Sequence, residues 1–207
     1  MMISPESFRE MELAGKTVPE LRVVLFRLRT QMERMQSIME GKSPPDEMIA
    51  PSPMVQLACL RDYFAVTVEA LKEQGFIYKP TSQERRKNEL YAAINDLKSI
   101  DLQIGGFHWG HHNATLSVHR ETRIVTLNGI KQSEDDSDNI LYDLQQLYLP
   151  EWKKEYADPS ILDGTQWRLT VEFHTEVAPF VAWGSNAYPY NFHELLEIMK
   201  IDKKAIK

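Results

Sequence analysis

The interval at which apolar residues recur changes near residue 100, and that change constrains the fold more than any other feature of the chain. Before it, Leu21, Leu25, Leu28, Met32, Met35 and Met39 follow one another at alternating steps of four and three. That spacing lines up one face of an α-helix. After it, Leu102 and Ile104, then Ala114, Leu116 and Val118, then Ile124, Thr126 and Asn128 beside Val125 and Leu127 fall into a period of two. Such a period sends alternate side chains to opposite faces of a β-strand. A chain of 207 residues suffices for one large domain or two small ones. The switch predicts two: a helical arm or hairpin over residues 1–79, and an α+β domain over residues 80–207.

Local punctuation places the elements. Thr17-Val18-Pro19-Glu20 has the capping-box spacing, with Pro tolerated in the first turn. Gly41 then stops the helix, and Lys42 to Pro53 contains four prolines, a linker in which no continuous helix can run. A second helix is predicted from about Met54 to Gln74, with Leu57, Leu60 or Arg61, Phe64, Val68 and Leu71 on its apolar face and Gly75 at its end. Thr81-Ser82-Gln83-Glu84 is another capping box and opens a third helix through Leu90, Ile94 and Leu97. The basic group Arg85-Arg86-Lys87 in its first turn opposes the helix dipole.

Beyond the three strands, the acidic run Ser133 to Asp138 suits the start of a helix from about Asp138 to Tyr148. Asp163-Gly164 reads as a turn. Trp167, Leu169, Val171 and Phe173 then alternate with Arg168, Thr170, Glu172 and His174, the signature of a half-buried strand. Pro179 to Trp183 supplies its partner, and Asn191, with Glu194 three residues on, caps a last helix carrying Phe192, Leu195, Leu196 and Met199. The predicted class is α+β: the helical hairpin or arm, a leading helix, and a five-stranded, mainly antiparallel sheet in the order βββαββα with helices on one face.

Composition excludes several classes. No apolar run approaches the roughly 20 residues that cross a bilayer, and the N-terminus lacks the basic start and apolar stretch of a secretory signal. The single cysteine, Cys59, cannot form an internal disulfide, which fits a reducing compartment. A cytoplasmic protein without membrane attachment is expected. The net charge of −6 is uneven: residues 1–100 carry 14 Lys+Arg and 14 Asp+Glu, and residues 101–207 carry 10 and 16. A surface that tracks phosphates needs a local basic excess, so nucleic acid is disfavoured as a partner.

From Gly105 to about residue 200 the motifs GGFHWGHHNATLSV, ILYDLQQLYLPEWKKEY, LDGTQWRLTVEF and WGSNAYPYNFHELLEIM resemble a small α+β domain of uncharacterised bacterial proteins, mostly from Firmicutes. That domain has a Gly-rich hairpin, a Trp-containing helix end, a D-G-x-x-W strand and a G-S-N-A-Y-P turn. The resemblance implies the fold and an association with phages, plasmids or conjugative elements. It carries over no catalytic residue, and the first 79 residues share in none of it.

GFHWGHHN, Gly106 to Asn113, puts His108, His111 and His112 close together. Zinc needs three or four ligands converging at about 2.0–2.3 Å. His108 and His112 have helical spacing, but Gly105, Gly106 and Gly110 oppose a helix, and neighbours in a hairpin point apart. A site would need His119, His174 or Asp163 brought in. The simpler reading is a Gly-rich hairpin with solvated imidazoles, and neither a metal nor another cofactor is assigned. Cys59 sits mid-helix without a nearby base and reads as a buried thiol. The acidic run lacks the ligand order of a calcium loop. Gly184-Ser185-Asn186 could offer N–H groups to an anion, but Gly, Asn and Pro189 also make an ordinary turn.

The preferred function is therefore a non-enzymatic protein-interaction or regulatory factor: an inhibitor, immunity or accessory protein of a bacterial mobile element. Its binding candidates are His108, Trp109, Trp183, Asn186, Tyr188 and Tyr190, since aromatic residues make effective contacts. The stripe Leu25, Leu28, Met32, Met35 and Met39 would either pack in a hairpin or form an interface for a partner or for self-association. The alternative is a metal-assisted hydrolase or nuclease using His108, His112, His119 and His174 as one group. A weaker third class is nucleic-acid binding by the basic helical half, or its mimicry by the acidic half.

Overall fold

Thr17 and Glu20 cap each other in the computed structural model, which describes residues 2–41, 51–106, 110–161 and 164–202. The Glu20 carboxylate accepts from the Thr17 backbone N–H at 2.8 Å and from its hydroxyl at 2.7 Å, opening α2 (Val18–Met39). A one-turn helix, α1 (Pro5–Phe8), and a π-helical turn (Arg9–Leu13) precede it. Ser52 caps α3 (Pro53–Glu73) through Oγ and the Val55 N–H, with Pro53 in the first turn. Gln74, at the end of α3, donates to the carbonyl of Lys16 just ahead of α2 at 2.7 Å. The two helices are therefore antiparallel.

That hairpin buries Leu21, Leu25, Leu28 and Met35 of α2 against α3, while Met32 and Met39 are half-buried. Most of the stripe thus packs inside the hairpin: covering an apolar face within the chain is the nearer way to remove it from water. On α3 the buried face is Leu57, Leu60, Tyr63, Thr67, Ala70 and Leu71, one position away from the expected Phe64 and Val68. Thr67 is tolerated there because its hydroxyl donates to the Tyr63 carbonyl at 2.7 Å. Tyr63 stacks on Phe8 at 4.1 Å, and its hydroxyl donates to Ile3 O and accepts from Ile3 N. The residues before α2 are held by these contacts.

The chain divides into two units, Met1–Lys79 and Pro80–Lys207. The second begins with α4 (Ser82–Ala93), capped reciprocally by Thr81 and Glu84. The helix ends at Ala93, short of the expected Leu97: Ile94–Asp96 form a 3₁₀ turn, and Leu97 opens β1 (Leu97–Gly106). Then come β2 (Gly110–Val118), β3 (Val125–Leu127), β4 (Ile130–Lys131), α5 (Glu134–Gln146), β5 (Glu155–Ala157), β6 (Gln166–Phe173), β7 (Phe180–Ser185) and α6 (Phe192–Ile198). Helix α5 starts earlier than Asp138 because Ser133 Oγ accepts from the Asp136 N–H at 3.1 Å.

The strands form one sheet in the order β4-β3-β2-β1-β6-β7-β5. Every pairing is antiparallel except β5 with β7. The class is α+β, with seven strands in a mixed sheet rather than five. The two additional strands are short. Strand β4 returns from β3 through Asn128 and Gly129, both at positive φ (50° and 81°), the backbone that suits a tight hairpin. Strand β5 adds an edge beside β7. Ile100, Leu102, Ile104, Leu116, Leu127, Leu169 and Val171 turn one face of the sheet inward to meet Leu141 and Leu144 of α5 and Leu195, Leu196 and Met199 around α6. Each Å² of apolar area that this face removes from water stabilises the unit by ~25 cal/mol. Among the described residues, no helix is long and apolar enough to cross a membrane.

Candidate functional site

Since side chains alternate across a strand, burying Trp167, Leu169 and Val171 sends Gln166, Arg168 and Thr170 to the other face of the sheet. Pairing then sets their neighbours. Asn113, Gln103, Arg168, Trp183 and Glu155 are successive cross-strand partners on β2, β1, β6, β7 and β5, and His111, Gly105, Gln166, Ser185 and Ala157 form the next row. Adjacent strands lie about 4.8 Å apart, so Gln103 and Trp183 flank Arg168 within reach of one small group. Trp183 is 40% exposed, and Gln103, Gln166, Arg168 and His111 are exposed too.

These residues line an open groove of about 410 Å³. Gly105 gives it depth: a Cβ there would come within 2.6 Å of His111 Nδ1 and 2.3 Å of the Gly110 carbonyl oxygen. The imidazole of His111 therefore lies across the glycine. Among the described residues, the side chains of Gln103, His111, Gln166 and Arg168 make no hydrogen bond or ion pair within the protein. The face thus presents a guanidinium, two carboxamides and an imidazole beside an indole.

Beneath the groove lies an aromatic cluster. Trp167 meets Phe192 at 4.7 Å, Tyr156 at 5.8 Å and Trp152 at 6.2 Å between ring centroids. Asn191 ties it together: Trp152 Nε1 donates to its Oδ1 at 2.8 Å, and its Nδ2 donates to the Leu147 carbonyl at 2.6 Å. It makes no side-chain cap for α6, a correction to the capping role expected from Asn191 and Glu194.

Of the residues singled out in the sequence, Trp183 lies in the groove. Asn186 sits at the turn after β7 with φ 55°, and its Nδ2 donates to the Ile161 carbonyl at 3.1 Å. A Cβ on Gly164 would stand 1.5 Å from Asn186 Oδ1, so the two residues close a loop together. Tyr188 packs on Phe192 at 5.0 Å. Burial raises its phenol above the ordinary value, with a hydrogen bond to Thr165 acting the other way. The Tyr190 hydroxyl donates to Glu151 at 3.3 Å. Asn186, Tyr188 and Tyr190 are each half-buried and lie outside the groove lining. Residues 42–50, His108, Trp109 and Asp163 lie outside the described residues.

Among the described residues, the candidate histidines do not gather. His112 pairs with Ile104 near the β1–β2 turn, whereas His119 follows the other end of β2, about 24 Å farther along a strand rising ~3.4 Å per residue. His119 Nδ1 accepts from the Thr122 N–H at 3.3 Å, and His174 Nε2 lies 3.1 Å from the Val118 carbonyl oxygen. His112 thus lies at the opposite end of the sheet from His119 and His174, so these three are not brought together. Among the described residues, no three His, Cys, Asp or Glu side chains are placed to hold a metal ion. Gln103, Gln166 and Arg168 were not singled out by the sequence. The alternation around Arg168 was the available signal, but it named a face and not the neighbours across it.

Compared with protein families, with curated proteins and with solved structures, the chain matches none.

Proposed function

We propose that the chain is a non-enzymatic protein-interaction factor that takes its partner on the open face of the α+β unit, around Trp183 and Arg168. The observation that carries this reading is the exposed indole held on a paired strand directly beside an uncommitted guanidinium. Trp and Arg are the side chains that most often dominate binding energy, and covering an indole removes a large apolar area from water. An inhibitor, immunity or accessory role of a mobile element is the form of this reading that the resemblance of residues 105–200 to a domain of uncharacterised bacterial proteins implies. In the helical unit, self-association falls to the exposed Val23 and Phe26 on α2, since the Leu–Met stripe is largely covered.

A photoreactive amino acid at position 183, introduced in cells of the encoding organism, tests the reading. One discrete cross-linked protein is expected at position 183 and none at Ser117, which is exposed on the same face two rows beyond Arg168. Equal labelling at both positions, or none at either, would reject it.

A further inference from the structure

We infer that the partner presents an extended segment bringing a carboxylate to Arg168 and, two residues away, an apolar or aromatic side chain to Trp183. This inference rests on the binding reading above and names the chemistry that the face selects. Residues 101–207 carry 10 basic and 16 acidic side chains, so an exposed guanidinium without an ion-pair partner among the described residues stands out on this half of the chain. A guanidinium only donates, an ionised carboxylate only accepts, and the two match in a bidentate fork. Gln103 across the strand and Gln166 one row along can donate to the outer lone pairs of the same carboxylate.

The neighbouring carboxylates orient the ligand. Glu155 pairs with Trp183 on the far side of the indole, and Asp101 lies on the same face one row beyond Gln103. A second anion is repelled at both places, which leaves Arg168 for the acidic group and Trp183 for the apolar one. Same-face side chains of an extended peptide are about 7 Å apart, a stretch that carries them from the Arg168 fork to the outer edge of the indole. A polynucleotide is disfavoured by the same carboxylates, because its successive phosphates need a run of cations.

Phage-displayed random peptides panned on the full-length protein test this. The wild type is expected to enrich Asp or Glu two positions from an aromatic or large aliphatic residue. Arg168→Glu is expected to exchange that acid for Lys or Arg, a reversal that a merely structural arginine would not produce. A synthetic peptide of the enriched sequence should lose about tenfold or more in affinity on Arg168→Ala, and a similar amount on Trp183→Ala. If Trp183→Ala does not fold, the charge exchange with Arg168→Glu decides alone.

Enrichment of peptides that lack an acid but still depend on Trp183 overturns the carboxylate assignment and leaves the binding reading standing. No enrichment above the Arg168→Glu/Trp183→Ala double variant overturns both. Fluorescein-labelled oligothymidylate binding more tightly than any selected peptide, with loss on Arg168→Ala, replaces the peptide by a nucleic acid.

Discussion

Asn191 is 4% exposed, and both ends of its carboxamide are used inside the unit, by the Trp152 indole and the Leu147 carbonyl. Asn191→Ala leaves two buried polar groups unpaired, at about 1–3 kcal/mol each, so a loss of about 2–6 kcal/mol in urea unfolding is expected. A loss below about 1 kcal/mol would mean that water or a neighbour takes over both bonds. Tyr188 makes a pH-dependent contribution. Burial raises its phenol above the ordinary value of 10.0, so the folded state holds the proton more tightly than the unfolded chain does. The contribution is present in full below the unfolded value and is lost as pH climbs from there through the higher folded value. Tyr188→Phe should therefore flatten the alkaline fall in stability relative to wild type, and parallel curves would exclude the role. The Asn-x-x-Glu spacing at 191–194 could not reveal this use of Asn191, because its partners are 39 and 44 residues away.

Helix α2 separates two faces whose substitutions should differ sharply. Leu28 is fully buried against α3 and Val23 is exposed. Leu28→Ala is expected to cost about 2–5 kcal/mol, while Val23→Ala should stay within ~0.5 kcal/mol. Comparable losses would show that α2 is rotated from its described face. The four-and-three spacing made this face legible, and period two did the same for β1, β2, β3 and β6, each with at least two inward apolar residues. Strand β4 buries neither of its two residues and β5 buries only Tyr156 of its three, so neither shows the alternating apolar pair that marks a half-buried strand; a turn and a neighbouring edge create them. The groove was legible by half. Alternation put Arg168 opposite the core face, but its neighbours Gln103 and Trp183 follow from strand register, which turn geometry and pairing decide. On α3, Thr67 was passed over as polar because its bond to Tyr63 O is invisible in a hydrophobic pattern.

The charge of the whole molecule acts on any ligand before the groove does. The chain carries a net −6, and the excess lies entirely in residues 101–207, so an acidic peptide approaches a repelling field and meets attraction only close to Arg168. The two effects have different ranges. The Debye length shrinks from about 30 Å at 0.01 M salt to about 8 Å at 0.15 M, which removes the long-range repulsion while the contact at Arg168 is screened less. The association rate of a peptide selected by the wild-type face should therefore rise with salt over that range, and its dissociation rate should rise modestly because the pair is partly exposed. Stopped-flow fluorescence with a labelled peptide reads both rates. An association rate that falls steeply as salt is added would require a positive field at the face, and with it the phosphate-rich ligand that the composition disfavours.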